Sequence, residues 1–116
     1  MSDWKLVFIV LNRDEYLEEV LEGFVELDVR GATVIDSVGM GQLIAHAAPV
    51  FGGISRLVTG ARPYNKTIFT VVEAAKIEAI VKVYEQICGS LDDPGAGLIF
   101  TVPVDFVKGL SGEALA

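Results

Sequence analysis

Residues able to make or break covalent bonds are scarce in this sequence. It holds one histidine and one cysteine among 116 residues. His46 therefore cannot build a histidine-based metal cluster, and Cys88, on the apolar face of what reads as a helix, is expected to be a buried thiol. Glu15, Glu18, Glu19, Glu22 and Glu26 have the composition of catalytic carboxylates, but their spacing makes the solvated face of an acidic helix. No catalytic or metal-binding set is expected, and the chain reads as a non-enzyme. What remains is the turn Gly95-Ala96-Gly97. Lacking Cβ atoms, glycines there let backbone N–H groups approach an anion closely. Its other reading, a turn that follows Asp92-Asp93-Pro94 and leads into a strand, stays open.

The elements that must position this turn follow from hydrophobic patterning. Leu6 to Leu11 is a continuous apolar run, expected to be a central strand buried on both faces. Asn12, followed by Glu15, resembles a capping box, and Leu17, Val20, Leu21 and Phe24 recur at helical spacing, so a helix is expected to about Leu27. Gly31 to Val38 alternates as a strand, with an extension to Gln42 left open, and Thr67 to Val72 is β-branched and aromatic throughout. From Ala74 to Cys88, Ile77, Ile80, Val81, Tyr84, Ile87 and Cys88 share one helical face. Gly89 to Gly97 is turn chemistry, and Leu98 to Val104 returns to strand. The order is βαββαβ, the ferredoxin-like pattern of a four-stranded antiparallel sheet with both helices on one face.

At this length, and with no linker composition, one domain over residues 1–116 is expected. Apolar residues make up 52% of the chain, a surplus that a single small core leaves on the surface. The uncovered sheet face is then expected to meet the same face of other subunits in a closed homo-oligomer, with Val7, Ile9 and Phe69 contributing to the shared core. Nine Lys and Arg against sixteen Asp and Glu give a net charge of −7, which disfavours nucleic acid or an anionic membrane surface as partner. A single cysteine suits a reducing compartment, and Met1-Ser2-Asp3-Trp4-Lys5 lacks the charged lead and cleavage site of a secretory signal, so a cytoplasmic location is expected.

The apolar-rich stretch from Leu43 to Ala61 is interrupted by His46, Pro49, Gly52-Gly53 and Arg56 and falls short of the roughly 20 apolar residues a membrane helix needs. It reads as a loop. Phe51, Ile54 and Leu57 give it an unusually apolar tip, which either packs down as a short helical turn or binds a partner protein. Arg56, Arg62 and Lys66 concentrate positive charge in this region of an acidic chain and favour an acidic partner surface.

Three segments then carry a family likeness. Arg30-Gly31-Ala32-Thr33-Val34 resembles the Gly-x-Thr-Val that opens the second strand of the PII signal-transduction (nitrogen regulatory protein P-II) family. Gly39-Met40-Gly41-Gln42 resembles the Gly-Phe-Gly-x-Gln at the base of that family's T-loop. Gly95-Ala96-Gly97-Leu98-Ile99-Phe100 resembles Gly-Asp-Gly-Lys-Ile-Phe, the B-loop and the start of the last strand. The resemblance implies a homotrimeric regulator of nitrogen metabolism or transport that binds an adenine nucleotide in clefts between subunits. It also implies that a T-loop, here residues 43–63, engages transporters, enzymes or transcription regulators. By the same resemblance Thr33 would lie on the adenine side, Gly39, Met40, Gly41 and Gln42 at the T-loop base, and Gly95, Ala96 and Gly97 at the phosphates, with Lys66 nearby.

The chain also departs from that pattern. Leu98 stands where the family has its phosphate-binding lysine, and Gly109 and Ser111, in the terminal segment 105–116, stand where two arginines reach the polyphosphate. Each missing charge-assisted hydrogen bond is worth roughly 1.5–3 kcal/mol, so ATP is expected to bind weakly beside a less charged nucleotide such as AMP or a cyclic nucleotide. The T-loop shows no counterpart of the tyrosine or serine modified in some relatives; Tyr64 and Ser55 are out of the motif. The alternative is a CutA-like or purely structural trimer of the same fold that admits no nucleotide.

Overall fold

Alternation within the apolar runs sets which side of each strand is covered. In the computed structural model, which describes residues 3–29, 31–40, 44 and 64–110, Trp4–Leu11 forms strand β1, Leu17–Glu26 helix α1, Thr33–Val38 strand β2, Tyr64–Glu73 strand β3, Ile77–Cys88 helix α2 and Leu98–Pro103 strand β4. The strands make one sheet in the order β2-β3-β1-β4, with all neighbours antiparallel. The βαββαβ ferredoxin-like pattern expected from the sequence is therefore present. Strands β1 and β3 are longer than their apolar runs suggest, because ladder hydrogen bonds extend pairing to Trp4↔Glu73 at one end and Val38↔Tyr64 at the other. Ala74–Lys76 forms a 3₁₀ turn ahead of α2.

Val7, Ile9 and Leu11 are fully buried and share one core with Ile68 and Val72 of β3, Val20 and Phe24 of α1, and Ile80, Tyr84 and Cys88 of α2. Both helices thus cover the same sheet face. They approach closely at Gly23, where a Cβ would lie 2.5 Å from Val83 Cγ1, so a larger residue there would push the helices apart. Burial pushes the Cys88 thiol above its ordinary range, which keeps it protonated and unreactive at neutral pH.

Two expectations need correcting. Within the single chain strand β1 is covered on one face only, since Val7, Ile9 and Leu11 are buried and Phe8 and Val10 are half-exposed. Val7 and Ile9 accordingly face their own chain's helices and not a shared core; of the three residues named for that role, only Phe69, paired with Phe8, lies on the other face. That open face is apolar. A phenylalanine row runs across three strands, Phe69 and Phe100 flanking Phe8 with ring centroids 5.7 and 5.0 Å away, and Ile35, Leu98, Phe100 and Val102 around it are 41–54% exposed. The second correction concerns Asn12, which makes no capping box: the turn Asp14–Tyr16 that precedes α1 has no side-chain cap, and the Asn12 amide is engaged elsewhere.

Candidate ligand-binding site

The Gly95–Gly97 turn sits at the end of the sheet where β1 finishes and β3 and β4 begin, and it is held from two sides. Tyr84, fully buried in mid-α2, donates its hydroxyl to the Ala96 carbonyl at 2.6 Å. Asn12, just past β1, donates its side-chain amide to the Gly95 carbonyl at 3.3 Å. Ala96 itself is buried, and its N–H closes a turn onto the Asp93 carbonyl at 3.3 Å. Burial raises the Tyr84 hydroxyl well above its usual range, so it is a permanent donor.

Gly97 has a structural reason to be glycine. Its φ is +125°, and a Cβ would collide with the Tyr84 hydroxyl and come within 2.6 Å of the Val10 carbonyl oxygen. Gly95, with φ +78°, has open space around it. Gly97→Ala, which adds a collision to a positive φ, should therefore destabilise the fold by about 2–5 kcal/mol, whereas Gly95→Ala carries the φ strain alone, about 1–2 kcal/mol; thermal melting of the two variants checks the contrast.

From Asn12 a line of side-chain hydrogen bonds crosses the sheet end. Asn65 Nδ2 donates to Asn12 Oδ1 at 3.4 Å, and Ser37 Oγ donates to Asn65 Oδ1. Ser37 Oγ also lies 2.8 Å from Thr67 Oγ1; a hydroxyl has one proton, so Thr67 is the donor in that pair. Buried Asn65 is thereby satisfied, and the β4 side of the sheet end is linked to β2 two residues before Gly39. Sequence reasoning missed Asn12, Ser37, Asn65, Thr67 and Tyr84. The one available signal was Tyr84, whose hydroxyl on an apolar helix face needs a partner.

The sequence-derived residues divide as follows. Gly95, Ala96 and Gly97 form the turn. Lys66, at the start of β3, donates to Asp36 across the β2–β3 pair. That hydrogen bond, with the negative charges of Asp36 and Asp14, holds its ammonium above the ordinary range. Lys66 also lines a shallow cavity of about 400 Å³ with Asp14, Asp36, Ser37, Tyr64 and Asn65, so its charge is already matched by carboxylates. Gly39 and exposed Met40 follow the end of β2. Thr33 is exposed and opens β2, the sheet's outer strand, level with Phe69. It stands about 14 Å across the strands from β4, and about 20 Å along its own strand from Gly39. One chain therefore does not bring Thr33 to the Gly95–Gly97 turn. Gly41, Gln42, Phe51, Ile54, Arg56, Leu57 and Arg62 lie outside the described residues. Among the described residues no group of three metal ligands occurs, and no helix is long and apolar enough to cross a membrane.

The model of the family described as Nitrogen regulatory protein P-II matches residues 4–113. The chain belongs to this P-II family. Solved P-II structures share its fold at low identity. Arabidopsis thaliana PII bound to citrate aligns with a TM-score of 0.60 and 17% identity, covering 90% of this chain and 77% of that one. A B. subtilis GlnK–ATP complex aligns with a TM-score of 0.62 and 16% identity, covering 90% and 86%. No curated protein sequence matches the chain. The P-II likeness accounts for the sheet order and the helical layer, and leaves the roles of individual residues to be argued from this chain.

Proposed function

We propose that this P-II protein is a cytoplasmic regulator and not an enzyme. In this reading its single domain assembles as a homotrimer that binds an adenine nucleotide of low charge in clefts between subunits. It acts on a partner protein, a membrane transporter or a component of nitrogen metabolism, through residues 43–63. The observation that carries the reading is the separation of Thr33 from the Gly95–Gly97 turn: residues on opposite edges of one sheet meet on one ligand only when the β2 edge of one subunit lies beside the β4 edge of another. The apolar open face supports the assembly, because a contiguous exposed apolar patch of this kind marks an interaction surface.

Charge sets the ligand class. Leu98 begins β4 as an exposed apolar side chain, Lys66 is paired with Asp36, and Asp92 and Asp93 precede the turn, so a triphosphate finds few cations in a chain of net charge −7. AMP or a cyclic nucleotide suits the site better. Calorimetry against AMP, a cyclic adenine nucleotide and ATP should show ATP as the weakest ligand; tight, magnesium-dependent ATP binding would contradict this.

A second reading, a CutA-like structural trimer with no nucleotide, is favoured by one observation: packing against Tyr84 and Val10 already explains Gly97. Thermal shift separates the two readings, because a ligand at 100 times its dissociation constant adds about 2.7 kcal/mol, whereas a structural trimer gives a flat panel.

A further inference from the structure

We propose that Tyr84 and Asn12 are positioning residues of the nucleotide site, fixing the Gly95–Gly97 turn so that the Gly97 N–H is aimed at a ligand phosphate; this rests on the nucleotide reading above. A peptide unit is planar and trans, so its C=O and N–H point in opposite directions. The Ala96 carbonyl is drawn onto the Tyr84 hydroxyl, which directs the N–H of the same unit, that of Gly97, away from Tyr84 and the core. The preceding carbonyl, of Gly95, is tied to the Asn12 amide, so two successive units of the turn are fixed by side chains from different elements. The Ala96 N–H is occupied by the Asp93 carbonyl, which leaves Gly97 as the donor this arrangement presents. A preset donor costs no reordering when an anion arrives. Residue 97 must also be glycine for the Tyr84 hydroxyl to reach its position, so the hydroxyl and the glycine form one device.

The test compares a ligand that has a phosphate with one that does not. Wild type, Tyr84→Phe and Asn12→Ala are titrated with AMP and with adenosine by calorimetry. Tyr84→Phe removes one buried oxygen and keeps the ring in the core; Asn12→Ala probes the second tie and decides the matter if Tyr84→Phe does not fold. Wild type should prefer AMP, and each variant should lose about tenfold in AMP affinity while adenosine binding stays within about twofold. A structural role alone would lower both ligands together. Unchanged AMP binding in the variants, equal losses for both ligands, or a wild type that binds AMP and adenosine alike would overturn the positioning role and leave nucleotide binding intact. A wild type that binds neither ligand would remove the nucleotide reading itself and this inference with it.

Discussion

Replacing Phe100 with Asp should convert the proposed trimer to a monomer without unfolding the chain. Phe100 stacks on Phe8 at 5.0 Å between ring centroids, yet 44% of it remains exposed in the single chain, so an aspartate there can reach water in the isolated subunit. In an assembly built on the open sheet face, the same carboxylate is carried into an apolar contact three times over. An unpaired charge so buried costs several kcal/mol, which corresponds to a loss of more than about 100-fold in association per subunit. Val25→Asp is the control, because Val25 is 62% exposed on α1, on the helical side of the sheet, and should leave the trimer intact. Light scattering reads the mass and circular dichroism the fold. A Phe100→Asp protein that remains trimeric would place the interface elsewhere.

Leu98→Lys should strengthen ATP binding by about 10- to 150-fold, the equivalent of one charge-assisted hydrogen bond of roughly 1.5–3 kcal/mol. Leu98 lies at the start of β4, directly after the turn and at the rim of the open face, and is 54% exposed in the single chain, so a lysine there can extend past the sheet end towards a phosphate without emptying the chain's own core. AMP, with fewer phosphate charges, should gain less. Calorimetry of both ligands measures the ratio. An unchanged ATP affinity would mean that the polyphosphate does not pass this position.

The fold was readable because local periodicity and tertiary burial agree. Ile80, Tyr84 and Cys88 recur at the helical period, so α2 declares its covered side, whereas Leu6 to Leu11 is apolar throughout and only the packed structure separates the buried Val7, Ile9 and Leu11 from the half-exposed Phe8 and Val10. Strand ends were less readable: Trp4, Lys5, Tyr64 and Asn65 join the ladder because a partner strand is present to receive their hydrogen bonds, which composition does not encode. The capping-box expectation at Asn12 failed because its Oδ1, the atom that would accept from the helix start, accepts instead from Asn65 Nδ2, while its amide N–H donates to the Gly95 carbonyl. Lys66 carries a charge that sequence counts as available, whereas the register Asp36↔Lys66 matches it with a carboxylate. The spacing of Gly95 and Gly97 marked the turn, but the differing reasons for the two glycines appear only once Tyr84 and Val10 are in place around it.

Native mass spectrometry of the full chain with AMP tests the proposed function most directly, since it counts subunits and ligands together. The expected result is three chains carrying up to three AMP molecules, with ATP retained less well under the same conditions. A monomer would contradict the assembly, and a trimer that takes up no adenine nucleotide would contradict the sensing role and leave the structural reading in its place.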